Sequence, residues 1–230
     1  MRTIGLLGGM SWESSIAYER IMNEEVRRRL GGMHAADLLV RSYDFAEIER
    51  LQAAGDWEGA GARLAADARC LEAAGAEAIL LCTNTMHRVA PAIEAALTVP
   101  FLHLADTTAA AVTRAGVTSV GLLGTKFTME ASFYRDRLAR RGLDVRIPSP
   151  DARDHIHGII YDELVRGRVE PRSRALLVDV ASTLIANGAR GIISGCTELE
   201  LLLQPSDLSV PLFPTARLHA LAAVDFALRA

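Results

Sequence analysis

Lysine is almost missing from this chain: of 25 basic side chains in 230 residues only Lys126 is a lysine, and the other 25 − 1 = 24 are arginines. An enzyme holding pyridoxal phosphate as a Schiff base would have Lys126 alone to offer. Cysteine is scarce as well. Cys70, Cys82 and Cys196 are too few for a disulfide framework and too far apart for a CxxC metal pattern. Each is therefore either packing or chemistry, and a reducing cytoplasm is the expected setting. Cys70, inside a helical stretch, reads as packing. The six histidines include no pair at ligand spacing. His155 and His157 are two apart and would point roughly 200° from one another on a helix, so no metal is expected.

Long apolar runs are lacking too. Stretches such as Ala78 to Cys82 fall far short of the roughly 18 residues that span a bilayer, and the strand-like Thr3-Ile4-Gly5-Leu6-Leu7 has no signal-like segment before it. A net charge of −3 gives no polyanion-binding signature, and Arg27-Arg28-Arg29, with Glu24 and Glu25 close by, reads as a solvated helix face. Neither nucleic acid nor membrane is expected as a partner. Gly5-Leu6-Leu7-Gly8-Gly9 lacks the spacing of a dinucleotide fingerprint, and no lysine-bearing phosphate loop is present.

What the chain does contain is one pattern twice. Gly75-Ala76-Glu77-Ala78-Ile79-Leu80-Leu81-Cys82-Thr83-Asn84-Thr85 recurs as Gly188-Ala189-Arg190-Gly191-Ile192-Ile193-Ser194-Gly195-Cys196-Thr197-Glu198, an offset of 188 − 75 = 113. Thr3-Ile4-Gly5-Leu6-Leu7-Gly8-Gly9 matches Ser119-Val120-Gly121-Leu122-Leu123-Gly124-Thr125 at 119 − 3 = 116, and Val99-Pro100-Phe101-Leu102 matches Val210-Pro211-Leu212-Phe213 at 210 − 99 = 111. The copies differ where a cysteine stands: Cys82 aligns with Gly195, and Thr83 aligns with Cys196. Because side chains alternate along a strand, a shift of one residue is a change of face.

Between these anchors, apolar runs alternate with alanine- and leucine-rich stretches of helical period, among them Ser14 to Leu30, Trp57 to Ala74, Thr128 to Arg141 and Arg172 to Asn187. Strands apolar on both faces and separated by helices imply parallel sheets covered on both sides. The expectation is an α/β protein of two pseudo-symmetric domains, residues 1–97 plus 211–230 and residues 98–210. Ligands collect beyond the carboxyl ends of parallel strands, which points to the turns Gly8 to Ser11, Thr83 to Thr85, Gly124 to Thr128 and Cys196 to Glu198, with the site in the cleft between domains.

In that context Cys196 follows a strand and opens a helical segment, where backbone N–H groups favour the thiolate and the thiol pKa is expected to fall below about 8.5. Thr83-Asn84-Thr85 offers hydroxyls, an amide and free N–H groups able to grip a carboxylate, or an ordinary N-cap at Thr85. Thr125 and Thr128 carry the same two readings.

Together Gly5-Leu6-Leu7-Gly8-Gly9-Met10, Thr83-Asn84-Thr85-Met86-His87, Gly121-Leu122-Leu123-Gly124-Thr125 and Gly195-Cys196-Thr197-Glu198 resemble the aspartate/glutamate racemase superfamily, along essentially the whole chain. The resemblance implies a cofactor-independent isomerase of two α/β domains acting on amino acids, with a catalytic residue from each, and commonly a homodimer. The family usually reads Cys-Asn-Thr where this chain has Thr83-Asn84-Thr85. With Asp44-Phe45-Ala46-Glu47-Ile48-Glu49-Arg50 and Gln52, that threonine is most similar to the branch of L-aspartate/glutamate-specific racemases. It implies Cys196 and Thr83 on opposite faces of Cα, Met10 and Gln52 against the substrate, and Asn84, Thr85, Thr125 and Thr197 on its carboxylate and ammonium groups. No secure match exists for residues that hold a distal carboxylate; Arg41, Arg50 and Lys126 are substitutes. Relatives with one cysteine include cofactor-free decarboxylases and isomerases of small diacids, and a non-catalytic amino-acid-binding protein is a third reading.

Overall fold

Runs of isoleucine, leucine and small residues with no polar side are stable only when both faces are covered, and here they become the centres of two parallel sheets. The computed structural model describes residues 1–229. It divides into one unit built from Met1–Leu104 and the segment from Ala216 onward, and a second built from Ala105–Thr215. Residues 98–104 thus group with the first unit and residues 211–215 with the second.

In chain order, the first unit has strand β1 (Ile4–Gly8), helix α1 (Trp12–Leu30), β2 (Leu38–Ser42), α2 (Phe45–Ala53), α3 (Trp57–Ala73), β3 (Ala78–Leu81), a 3-10 turn over Thr85–Val89 and α4 (Ala90–Ala96). Its sheet runs β2-β1-β3, all parallel, and a parallel bridge from Ile79 to Phe101 extends it by one position. From α5 (Leu104–Arg114) the second unit continues through β4 (Ser119–Gly124), α6 (Lys126–Glu130), α7 (Ser132–Ala139), β5 (Asp144–Arg146), α8 (Pro150–Gly158), a π-helical segment over Ile159–Glu163, α9 (Pro171–Ala186), β6 (Ile192–Gly195), a 3-10 turn over Thr197–Leu201 and β7 (Leu212–Pro214). This sheet runs β5-β4-β6-β7, again parallel. Helix α10 (Thr215–Ala227) returns the chain to the first unit.

The duplication is written into the strand register. Gly5 pairs with Ile79 in the first sheet and Gly121 with Ile192 in the second, which are the same partners moved by 121 − 5 = 116 and 192 − 79 = 113. The Ile79–Phe101 bridge has its equivalent in Ile192–Leu212, with 212 − 101 = 111. Even an edge hydrogen bond repeats: Thr3 Oγ1 donates to Asp37 Oδ2 at 2.9 Å, and Ser119 Oγ to Asp144 Oδ2 at 3.0 Å.

Two apolar layers flank the first sheet. Leu7, Ile79 and Leu81 pack with Met10, Ile48, Leu64 and Met86 on one side. Ile4, Leu6, Leu80 and Cys82 pack with Tyr18, Met22, Ala220 and Val224, the last two from α10, on the other. Among the described residues no helix is long and apolar enough to cross a membrane.

Two expectations change at the level of elements. The stretch Thr128 to Arg141 is not one helix, because Ala131 adopts extended backbone (φ −70, ψ 142) and separates α6 from α7. Cys70 is exposed on α3 and fills no core, since the buried face of that helix is carried by Leu64, Ala65, Ala68 and Leu71.

Candidate active site

Each unit presents a polar turn where its central strands end. In the second unit Gly124 pairs with Gly195, so Thr125 and Cys196 leave neighbouring strands side by side, at the roughly 4.8 Å spacing of adjacent strands. A β-carbon on Gly195 would lie 2.8 Å from the Leu123 carbonyl oxygen, and only glycine permits this approach. Cys196 keeps extended backbone (φ −155, ψ 132) and is buried, at 9% exposure.

The electrostatics around this sulfur correct the expectation drawn from the turn. The Cys196 thiol donates to Glu198 Oε2 at 2.9 Å, and Thr197 Oγ1 donates to the same oxygen at 2.8 Å. Burial first, and the Glu198 carboxylate second, push the thiol pKa well above its usual value; backbone N–H groups of Glu198 and Leu199 oppose this and lose. The segment after Cys196 is a five-residue 3-10 turn, too short to supply the field of a regular helix. Cys196 is thus held as a thiol, hydrogen-bonded to Glu198, which is itself only 8% exposed. Glu198 is the functional candidate that reading the sequence missed, although it stands two residues from the cysteine and opposite Thr85 in the repeat.

Thr125 is buried and caps α6: its hydroxyl accepts from the Thr128 backbone N–H at 3.3 Å and lies 3.2 Å from the Thr128 hydroxyl. Lys126 pairs with Asp154 on α8, and its own backbone N–H donates to His157 Nδ1 at 3.3 Å.

In the first unit the Cys82 N–H donates to the Leu7 carbonyl, continuing the ladder by one residue, and Thr83 follows at the level that Cys196 occupies in the other sheet. Cys82 is fully buried in the layer with Tyr18 and Met22, and burial drives its thiol pKa far upward, which makes it packing. Thr83 is half-buried, Asn84 and Thr85 are buried, and all three sit in the turn that leads to α4. Thr85 opens the 3-10 turn and does not cap it; Asn84 holds the capping place, with no side-chain cap bond.

A second missed residue, His87, sets the shape of this turn. The Leu104 N–H donates to His87 Nε2 at 3.2 Å, so that nitrogen is an acceptor, and Nδ1–H, at 2.7 Å, donates to the Thr83 carbonyl. His103 packs edge-on against His87 with ring centroids 4.5 Å apart, and His219 lies behind at 5.9 Å.

Met10 and Gln52 reach the same end of the first sheet. Met10 packs in one apolar cluster with Met86, and Gln52 Nε2 donates to Met86 Sδ at 3.0 Å. Gly9 (φ +84) brings the Met10 loop onto Tyr43, where a β-carbon would stand 2.3 Å from the Tyr43 nitrogen. Of the substitutes for a distal-carboxylate ligand, Arg41 lies over the Tyr43 ring and 3.4 Å from Asp67, and exposed Arg50 donates to the Ala46 carbonyl. Met10, Gln52, Thr83, Asn84 and Thr85 are therefore grouped in one unit, and Thr125, Cys196, Thr197 and Glu198 in the other. Among the described residues no group of histidine, cysteine and acidic side chains is arranged to hold a metal ion.

This chain is similar over its whole length to proteins of known structure. It is 49% identical to a provisionally assigned Asp/Glu racemase from Yersinia pestis, with 100% of both chains covered and a TM-score of 0.95. It is 33% identical to an aspartate racemase homologue from Pyrococcus horikoshii OT3, again covering 100% of each, with a TM-score of 0.89. Picrophilus torridus aspartate racemase, at 19% identity, 99% and 94% coverage and a TM-score of 0.76, shares the fold. The Asp/Glu/hydantoin racemase family profile matches residues 7–223, which takes in both strand-end turns, and with the duplicated sheets this establishes that the chain belongs to the Asp/Glu/hydantoin racemase family.

Proposed function

We propose that this protein is an amino-acid racemase of the aspartate/glutamate type that works without pyridoxal phosphate, with Cys196 taking and returning the Cα proton on one face and Thr83 serving the other. The observation that carries the reading is the equivalence of Cys196 and Thr83 in the repeat: Cys196 directly follows Gly195, the last paired position of its strand, and Thr83 directly follows Cys82, whose N–H still bonds to the Leu7 carbonyl, and both stand amid hydroxyl- and amide-bearing turns.

Removing a proton from Cα leaves charge that spreads onto the substrate carboxylate. Donors already in place at that carboxylate lower the barrier because they need not reorganise as the charge develops. Thr125 and Thr197 beside Cys196, and Asn84 and Thr85 beside Thr83, are the proposed donors, with Met10 and Gln52 shaping the wall against the substrate side chain. Neutral thiol, thiolate and hydroxyl cover the acid and base roles in this scheme.

Exchange of the α-proton for deuterium tests it directly, by proton NMR of L-aspartate, L-glutamate and a panel of other amino acids in deuterated water. The wild-type protein is expected to exchange at least one of them, and Cys196→Ala to lower that rate by about 100-fold or more. Exchange that survives in Cys196→Ala refutes the assignment of the base. Release of carbon dioxide from a malonate, with no exchange of any amino acid, replaces the racemase reading by a decarboxylase.

A further inference from the structure

We infer that Glu198 is a positioning residue that shares one proton with Cys196, keeping the sulfur as a thiol until substrate is bound and then receiving that proton; this rests on the proposed role of Cys196. Three observations converge on it. The sulfur and Glu198 Oε2 are 2.9 Å apart with the thiol as donor, so the proton has a direct path. Thr197 Oγ1 donates to the same oxygen at 2.8 Å and pins it in place. Both partners are nearly withdrawn from water, at 9% and 8% exposure, where two adjacent negative charges are strongly disfavoured. Two negative charges side by side are therefore avoided, and at rest the proton lies on the sulfur.

The step balances without any other reactant. The S–H bond breaks, its electron pair stays on sulfur, and the proton forms an O–H bond at Glu198 Oε2. The thiolate then takes the α-proton, and the C–H electron pair is left on the substrate, delocalised into its carboxylate. Return of a proton from the thiol to the carbanion, deuterium once the S–H has exchanged with solvent, regenerates the thiolate, and Glu198 Oε2 then gives its proton back to sulfur. A sulfur held this way is protected from premature ionisation and from alkylation or oxidation, which act on thiolates.

The test reads Cys196 itself. Alkylation by iodoacetamide is followed against pH, by mass analysis of the peptide that carries Cys196, in the whole protein. Glu198→Gln keeps the shape and removes the charge; its midpoint is expected at least one pH unit lower, which is a tenfold larger thiolate fraction at a given pH on the rising limb. Its α-proton exchange should fall, with kcat affected more than KM. Glu198→Asp keeps the charge, withdraws it by one carbon, and should lie between. A Glu198→Gln midpoint equal to or above that of the wild type overturns the inference; if that variant does not fold, a Glu198→Asp midpoint at or above wild type does so. Because alkylation needs no turnover, the outcome stands even if no amino acid proves to be exchanged.

Discussion

Thr83 carries an alcohol where the repeat places a sulfur in the other unit, and the two groups are unequal partners. Even with its pKa raised as at Cys196, a thiol ionises far more readily than a threonine hydroxyl, so in the proposed scheme transfer of a proton to the Thr83 side is the harder direction. Enantiomers approached from the two sides should then react at different rates, with L-substrates favoured. Thr83→Cys is expected to bring the initial rates for L- and D-substrate closer by about tenfold or more, read by circular dichroism of the amino acid; an unchanged ratio removes Thr83 from the reaction. The hydrogen bond from His87 to the Thr83 carbonyl keeps the turn in place through that substitution, since it engages backbone and not the exchanged side chain.

At the scale of elements, the decisive contact is the meeting of β4 and β6 through Gly124 and Gly195. An added β-carbon at position 195 meets the Leu123 carbonyl at 2.8 Å and Thr128 Cγ2 at 3.1 Å, so the two strands must part at the point where Thr125 and Cys196 emerge. Gly195→Ala is expected to cost about 1–3 kcal/mol in denaturant unfolding and to slow α-proton exchange as well. Full exchange at wild-type stability would show that the close approach is dispensable.

Much at this scale was legible beforehand, and the reason is physical. Strands buried on both faces must be largely apolar, so Ile4 to Gly8 and Ile192 to Gly195 announce themselves, and the offsets of 116 and 113 relate the register of Gly5 on Ile79 to that of Gly121 on Ile192 without fixing either one. What stayed hidden depends on neighbours distant in sequence or on side-chain direction. Ala131 is a strong helix former, and nothing local marks it as the break between α6 and α7. The lowered thiol pKa expected for Cys196 failed because the sign is decided by burial and by the Glu198 side chain turning to the sulfur, neither of which a turn motif specifies.

Over the whole molecule, acid sensitivity follows from one buried ring. His219 is fully buried on α10, accepts from the Tyr18 hydroxyl through Nδ1 at 2.9 Å, and donates through Nε2 to the Leu102 carbonyl, with His87 as its other titratable neighbour. Burial lowers its pKa from 6.5 to about 4. The unfolded chain therefore takes up a proton near pH 6.5 that the folded chain refuses until about pH 4. Stability falls as pH drops through that window, by about 3 kcal/mol from this group. His219→Gln should be less stable at pH 7 yet show a flatter loss between pH 6.5 and 4 in thermal unfolding; parallel curves for the two proteins would assign the acid sensitivity elsewhere.

The chain leaves the first unit after Leu104 and re-enters it at Ala216. During synthesis the ribosome must deliver all of Ala105–Thr215 before α10 exists, so the inner unit is complete while the outer sheet still lacks the helix that brings Ala220 and Val224 onto Ile4, Leu6 and Cys82. The unit begun earlier is thus completed later, and Ile4, Leu6 and Cys82, already lined by Tyr18 and Met22 of α1, wait for Ala220 and Val224 to close their layer.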